Sequence, residues 1–141
     1  MVPVEDGASP APIDRAVLQQ MRSRFLGSRQ IDAARILEDE KLHLRVELSS
    51  DYYPSHSSVR LKIRWYRNDG FNIYYQEQRD EETWQYRWDR HPNVHNSRDH
   101  FHPPPVASRT EAQDADWPND HREVCRLVLD YIEERIETLW E

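Results

Sequence analysis

Four of the seven histidines fall between positions 91 and 102: His91, His95, His100 and His102. Asp89, Asp99, Arg87, Arg90 and Arg98 stand among them. Imidazole titrates near neutrality without perturbation and is also the commonest metal ligand. Three chemistries fit this composition. In the first, one histidine acts as general base and another as general acid, while arginine stabilises the charge that develops on a phosphoryl group. That division of labour suits transphosphorylation within RNA, where the nucleophile is the substrate's own 2′-hydroxyl and no metal is needed. In the second, His100 and His102 form an i, i+2 chelate completed by His91 or His95 and an aspartate. No His-Glu-x-x-His and no Cys pair accompanies it. In the third, the imidazoles are solvated loop residues or caps in a polar, Arg-rich chain.

A second constellation lies upstream. In the run Val59 to Tyr66, Val59, Leu61, Ile63 and Trp65 alternate with Arg60, Lys62, Arg64 and Tyr66. A strand would place three cations and one ring on a single face. Such a face fits phosphate contacts with a base stacked on the ring. It equally fits a solvated strand paired to Glu47, Glu77 or Glu82. Tyr66 and Tyr74 fall out of phase with the apolar positions and are the better stacking candidates. Cys125 lies beside an apolar helical stripe and reads as buried, with nothing nearby to lower its pKa.

These residues need a scaffold, and the periodicities supply one. Residues 1–12 are small, Pro-containing and aperiodic, and read as a loose tail. Ile13, Val17, Met21 and Phe25 recur at helical spacing and predict a helix over 13–26, with Gly27-Ser28 as its stop. Ile31 to Glu38 reads as a short helical turn or the approach to a strand. Lys41–Leu48 and Val59–Tyr66 alternate as strands, and Asn68-Asp69-Gly70 carries a hairpin signal. Phe71–Glu77 and Glu82–Trp88 give two more. A four-stranded antiparallel meander follows. Asp89 to Asn119 reads as a long His-rich loop, within which His100-Phe101-His102 can form a short extended segment. Asn119 or Asp120 caps a long C-terminal helix in which Val124, Leu127, Val128, Tyr131, Ile132, Arg135, Ile136 and Leu139 follow helical spacing. The expected fold class is α+β, one domain over residues 13–141.

Composition sets the context. The chain has 141 residues and a net charge of −7, with 26 acidic residues against 19 basic ones. Only Lys41 and Lys62 are lysines; the other basic residues are arginines. Abundant carboxylate with scarce Lys and few aliphatics resembles the proteins of salt-loving archaea, whose negative charge keeps the surface solvated. An acidic protein of a GC-rich genome is the alternative. At molar salt the Debye length is about 3 Å, so only close basic patches bear on nucleic-acid binding. The single cysteine excludes an intramolecular disulfide. The chain lacks a signal-peptide pattern and an apolar run long enough to span a bilayer, which places the expected location in the cytoplasm.

The order of these features resembles a family. A Tyr- and Trp-rich meander leads into Tyr86-Arg87-Trp88-Asp89, then Pro92, His95 and His100-Phe101-His102 followed by prolines. This is similar to the TumE-like toxins of prokaryotic toxin–antitoxin pairs, including haloarchaeal relatives. Trp88 stands where a tyrosine is expected. The resemblance implies a growth-inhibiting toxin that acts on RNA and is neutralised by a cognate antitoxin. The residues then take these expected roles. His100 and His102 are the acid–base pair, with His95 or His91 as alternate, and Asp89 orients a histidine. Arg87 and Arg90 hold phosphate. Arg60, Lys62 and Arg64 guide the RNA backbone, and Tyr66 stacks on a base. No cofactor is required. The alternative is a non-enzymatic module that binds nucleic acid or protein, with a metal-dependent hydrolase as a third reading. A homodimer through the last helix stays open.

Overall fold

The computed structural model describes residues 11–92 and 97–141. Its elements run α1 (Arg15–Leu26), β1 (Ile31–Leu37), β2 (His43–Leu48), a 3-10 turn (Ser50–Tyr52), β3 (Ser57–Trp65), β4 (Phe71–Arg79), β5 (Glu82–Pro92), β6 (Ser97–His102), β7 (Gln113–Ala115) and α2 (His121–Leu139). The strands form one sheet in the order β1-β2-β3-β4-β5-β6-β7. Every neighbouring pair is antiparallel. The α+β class is as expected, but the meander has seven strands rather than four.

The three added strands each lacked a sequence signal for a physical reason. β1 contains two alanines and little alternation, so only its ladder to β2 reveals it. β6 is the His-x-His segment, paired along its length to β5. β7 is short and polar, and exists through its pairing to β6. β5 also runs on past Trp88, a continuation the pattern hides because Arg90 occupies an inward position where an apolar residue is expected. Much of the expected His-rich loop is therefore a β-hairpin. His91, His100 and His102 sit on strands, which hold side chains more rigidly than a loop does.

Local chemistry fixes the ends. Asp14 caps α1 by accepting the Val17 N–H at 3.2 Å, and Ile13, expected inside this helix, instead bridges Tyr66. Asp120 caps α2 by accepting the Arg122 N–H at 2.9 Å. The β3–β4 and β4–β5 turns place Asp69 and Asp80 at positive φ, a conformation that short polar side chains tolerate.

Both helices pack on one face of the sheet. α1 lies over β1, β2 and β3 and against α2. Leu18, Met21 and Phe25 of α1 join Leu44, Val46, Leu61, Ile63 and Ile73 in the core, with Val124, Val128 and Ile132 of α2. Beyond them an aromatic cluster carries the core along β5 and β6: Tyr131 of α2 meets Tyr86, Trp88 and Phe101. Cys125 is in this core, and burial pushes its thiol up to about 12.

A polar network joins α2 to the covered face. Arg135 of α2 donates to both carboxylate oxygens of Glu77, at 2.7 and 2.9 Å, and its guanidinium stacks 3.6 Å from the Trp84 ring. Tyr75 donates its hydroxyl proton to Glu77 Oε2 at 2.7 Å, and Tyr53 pairs with Tyr75 at 2.9 Å. Glu77 is thus committed to α2 and lies on the opposite face from Arg60, Lys62 and Arg64.

Candidate functional site

The second face of the sheet collects the polar alternates, and the strand registers order them into rows. One row crosses six strands: Arg35 opposite Arg45, Arg45 opposite Lys62, Lys62 opposite Tyr74, Tyr74 opposite Arg87, and Arg87 opposite His102. The adjacent row runs Arg64, Asn72, Asp89, His100 and Asp114. The rows bring residues remote in sequence to neighbouring strand positions, about 4.8 Å apart.

Asp89 is the hub. Its side chain is fully buried, and four basic groups surround it. On the Oδ2 side, His102 Nε2 lies at 2.8 Å and Arg87 Nε at 3.1 Å, the latter in ion-pair rather than aligned hydrogen-bond geometry. On the Oδ1 side, His91 Nε2 lies at 3.1 Å and His100 Nδ1 at 3.5 Å. Burial alone would raise the Asp89 pKa; the imidazoles of His102 and His91 held against its oxygens outweigh it and keep the carboxyl well below the usual range. The carboxylate is therefore a fixed negative charge at neutral pH.

The three imidazoles differ in access. His102 is buried, and its Nδ1 lies 3.1 Å from the Ser108 carbonyl oxygen. A carbonyl only accepts, so this contact places a proton on Nδ1. The exchangeable position is then Nε2, which either donates to Asp89 or accepts from Arg87 Nη2 at 2.9 Å. His91 and His100 are the accessible pair, with side chains 31% and 21% exposed and ring centroids 5.6 Å apart.

Arg87 is tied down on three sides, by Asp89, by His102 and by donation from Nη1 to the Tyr74 hydroxyl at 3.0 Å. Arg90 points to the other face. It holds Asp99 at 2.9 Å and donates to the Trp117 and Pro118 carbonyls at 2.8 and 2.7 Å. Its role is to fasten the segment before α2 to the hairpin, away from the histidines. Trp117 completes that fastening by donating Nε1–H towards the backbone carbonyls of Asp89 and His100. His95 lies outside the described residues.

Beside the hub, Arg60, Lys62, Arg64, Tyr74, Gln76 and Gln85 line a cleft of about 220 Å³. Arg60 is exposed and Lys62 half-buried, whereas Arg64 and Tyr66 are buried. Tyr74, not Tyr66, is the accessible ring here, with the Arg87 guanidinium 5.1 Å from its centroid. Asn72 went unnoticed in the sequence, though it is in phase with Tyr74 and Gln76. It is buried between Arg64 and Asp89, and neither of its amide atoms has a hydrogen-bond partner among the described residues. Among the described residues, Asp89, His91 and His100 are also close enough together to hold a metal ion.

The arrangement combines two accessible imidazoles on a buried carboxylate with a basic cleft on the same face. A family model described as Toxin TumE matches residues 14–136. The chain belongs to the Toxin TumE family. The match takes in all seven strands and nearly all of α2, so the Asp89 hub and the basic cleft both lie within the TumE span. No curated protein and no solved structure matches the chain. Among the described residues, no helix is long and apolar enough to cross a membrane.

Proposed function

We propose that this TumE-family toxin is a ribonuclease that cleaves RNA by metal-independent transphosphorylation and is held in check by a cognate antitoxin. The observation that carries the reading is the placement of His91 and His100 on the Oδ1 side of Asp89, on the sheet face that also bears the basic cleft.

In the reaction, one of these imidazoles takes the proton of the ribose 2′-hydroxyl. The 2′-oxygen then attacks the adjacent phosphorus, the bond from phosphorus to the 5′-oxygen breaks, and the second imidazole donates a proton to that leaving oxygen. Asp89 stabilises whichever ring is protonated. His102 and Arg87 are positioning residues that hold Asp89 from the Oδ2 side. This assignment moves His102 from the acid–base pair to the support, because it is buried and committed to Ser108, Asp89 and Arg87. Arg60 and Lys62 take phosphates, and Tyr74 offers a face to a base. Lys62 and His100 are three strands apart, roughly 14 Å, so the cleft meets phosphates that flank the scissile one.

The test is cleavage of total RNA by the purified protein with a chelator present. His91→Ala and His100→Ala are each expected to lower the rate by about 10²–10⁴-fold while the fold is retained. Cleavage that survives in the double variant would exclude the assignment. A protein that binds RNA without cleaving it would favour the non-enzymatic module instead.

A further inference from the structure

The geometry points to a zinc-class metal site made by Asp89 Oδ1, His91 Nε2 and His100 Nδ1, separate in chemistry from proton transfer although it uses the same rings. Three observations carry it.

The first is spacing. Zinc bonds to imidazole nitrogen and carboxylate oxygen are about 2.0–2.2 Å long, so ligand atoms in a tetrahedral site stand about 3.3 Å apart. The Oδ1 to Nε2 separation at His91 is 3.1 Å and the Oδ1 to Nδ1 separation at His100 is 3.5 Å. Ligand atoms of Asp89, His91 and His100, one from each residue, all lie within 4.8 Å of one another.

The second is the state of Oδ1. It is buried and accepts no aligned hydrogen bond among the described residues, which is costly for a carboxylate oxygen. Two imidazole nitrogens face it, at 3.1 and 3.5 Å. A cation shared by the three atoms satisfies all of them at once.

The third is the supporting shell. Metal-ligating groups are oriented from behind. Asp89 is held at Oδ2 by His102 at 2.8 Å. The far nitrogen of His100, Nε2, lies 3.8 Å from Asp114 Oδ1 on β7. Trp117 pins the backbone of Asp89 and His100 together. Asp89 and His91 share a face at i, i+2 of β5, and His100 is the cross-strand partner of Asp89, so the ligands ride on paired strands. Two imidazoles and one carboxylate favour a late first-row divalent cation over magnesium or calcium. Three protein ligands leave a fourth position towards solvent, where His91 and His100 are partly exposed.

One consequence rests on the proposed function. A bound ion occupies nitrogens that the acid–base reaction uses, so it holds the toxin inactive.

The experiment uses the full chain after chelator treatment. Cobalt(II) is titrated and followed by its visible absorption, and zinc(II) is measured by competition with a chromophoric chelator. One equivalent is expected. His91→Ala and His100→Ala are expected to weaken binding more than about 100-fold, and Asp114→Asn roughly tenfold, with His56→Asn unchanged. The two histidine side chains are partly exposed, so their variants keep the fold, as circular dichroism will verify. Absence of a stoichiometric site in wild type, or equal binding by the His91→Ala/His100→Ala double variant, overturns the inference whatever happens to RNA. In parallel, zinc is expected to suppress RNA cleavage and chelator to restore it. Zinc binding without cleavage under any condition leaves the site standing and removes the ribonuclease reading. Zinc binding that accelerates cleavage overturns the inhibitory role and replaces proton transfer with Lewis-acid chemistry.

Discussion

His102 Nε2 lies 2.8 Å from Asp89 Oδ2, and this contact turns the other carboxylate oxygen towards the accessible histidines. If His102 positions rather than reacts, its loss misplaces Asp89 without emptying the reacting pair. His102→Ala is expected to lower kcat by roughly 100-fold with KM little changed. It is also expected to cost about 1–3 kcal/mol of stability for the buried partners left unpaired. His102→Gln, which keeps a donor, recovers part of both. Steady-state kinetics and urea unfolding of the two variants measure this. A fall in KM-dependent terms alone would argue against the positioning role.

The basic cleft makes a separate prediction. Arg60 and Lys62 are the more accessible cations of the cleft on β3. A phosphate contact to single-stranded RNA contributes about 0.7 to the slope of log affinity against log salt. Lys62→Ala and Arg60→Ala are each expected to reduce that slope by about this amount, with little dependence on RNA sequence. Binding isotherms over a salt series test it. Arg90→Lys is expected to destabilise the fold with the slope intact, since Arg90 is spent on Asp99, Trp117 and Pro118.

On the covered face, Glu77 and Arg135 join β4 to α2 by two hydrogen bonds. Removing either partner strands a largely buried charge. Glu77→Ala and Arg135→Ala are each expected to cost about 2–4 kcal/mol. Glu77→Gln should cost less, because Tyr75 and Arg135 still find an acceptor. Urea unfolding gives the values, and equal costs for Glu77→Ala and Glu77→Gln would contradict the account.

The start of α2 carries a pH signature. The side-chain and backbone N–H groups of Arg122 lower the Asp120 pKa to about 2 from a usual 3.8. A carboxyl with a depressed folded value contributes stability that is complete above its unfolded value. That contribution shrinks as pH falls below 3.8 and is gone below about 2. The melting temperature of wild type should therefore exceed that of Asp120→Ala at pH 6, and the gap should narrow between pH 4 and pH 2.

Much of this was legible from alternation and spacing. β2 and β3 announced themselves through strict apolar alternation, β4 through its start after the Asp69-Gly70 turn, and α2 through its stripe and the Asp120 cap. The basic face of β3 and the clustering of Asp89, His100 and His102 were legible too, because residue types and period 2 together define them. Three features were hidden. Arg90 and Asp89 are sequence neighbours with similar polarity, yet the pleat sends them to opposite faces, and a charged residue at an inward position conceals the continuation of β5. β6 and β7 depend on cross-strand pairing more than on their own propensity. Tyr66 looked accessible on phase alone, but it is buried beside the N-terminal bridge to Ile13. The register that sets Asn72 beside Asp89 is a tertiary fact that one strand's sequence does not contain.

Transphosphorylation by the RNA's own 2′-hydroxyl leaves its mark in the chemistry of the cut ends. RNA cleaved by the purified protein in the presence of chelator should carry 2′,3′-cyclic phosphate on one fragment and a 5′-hydroxyl on the other, and His100→Ala should produce neither. Fragments ending in 3′-hydroxyl and 5′-phosphate, or ends unchanged by His100→Ala, would contradict it.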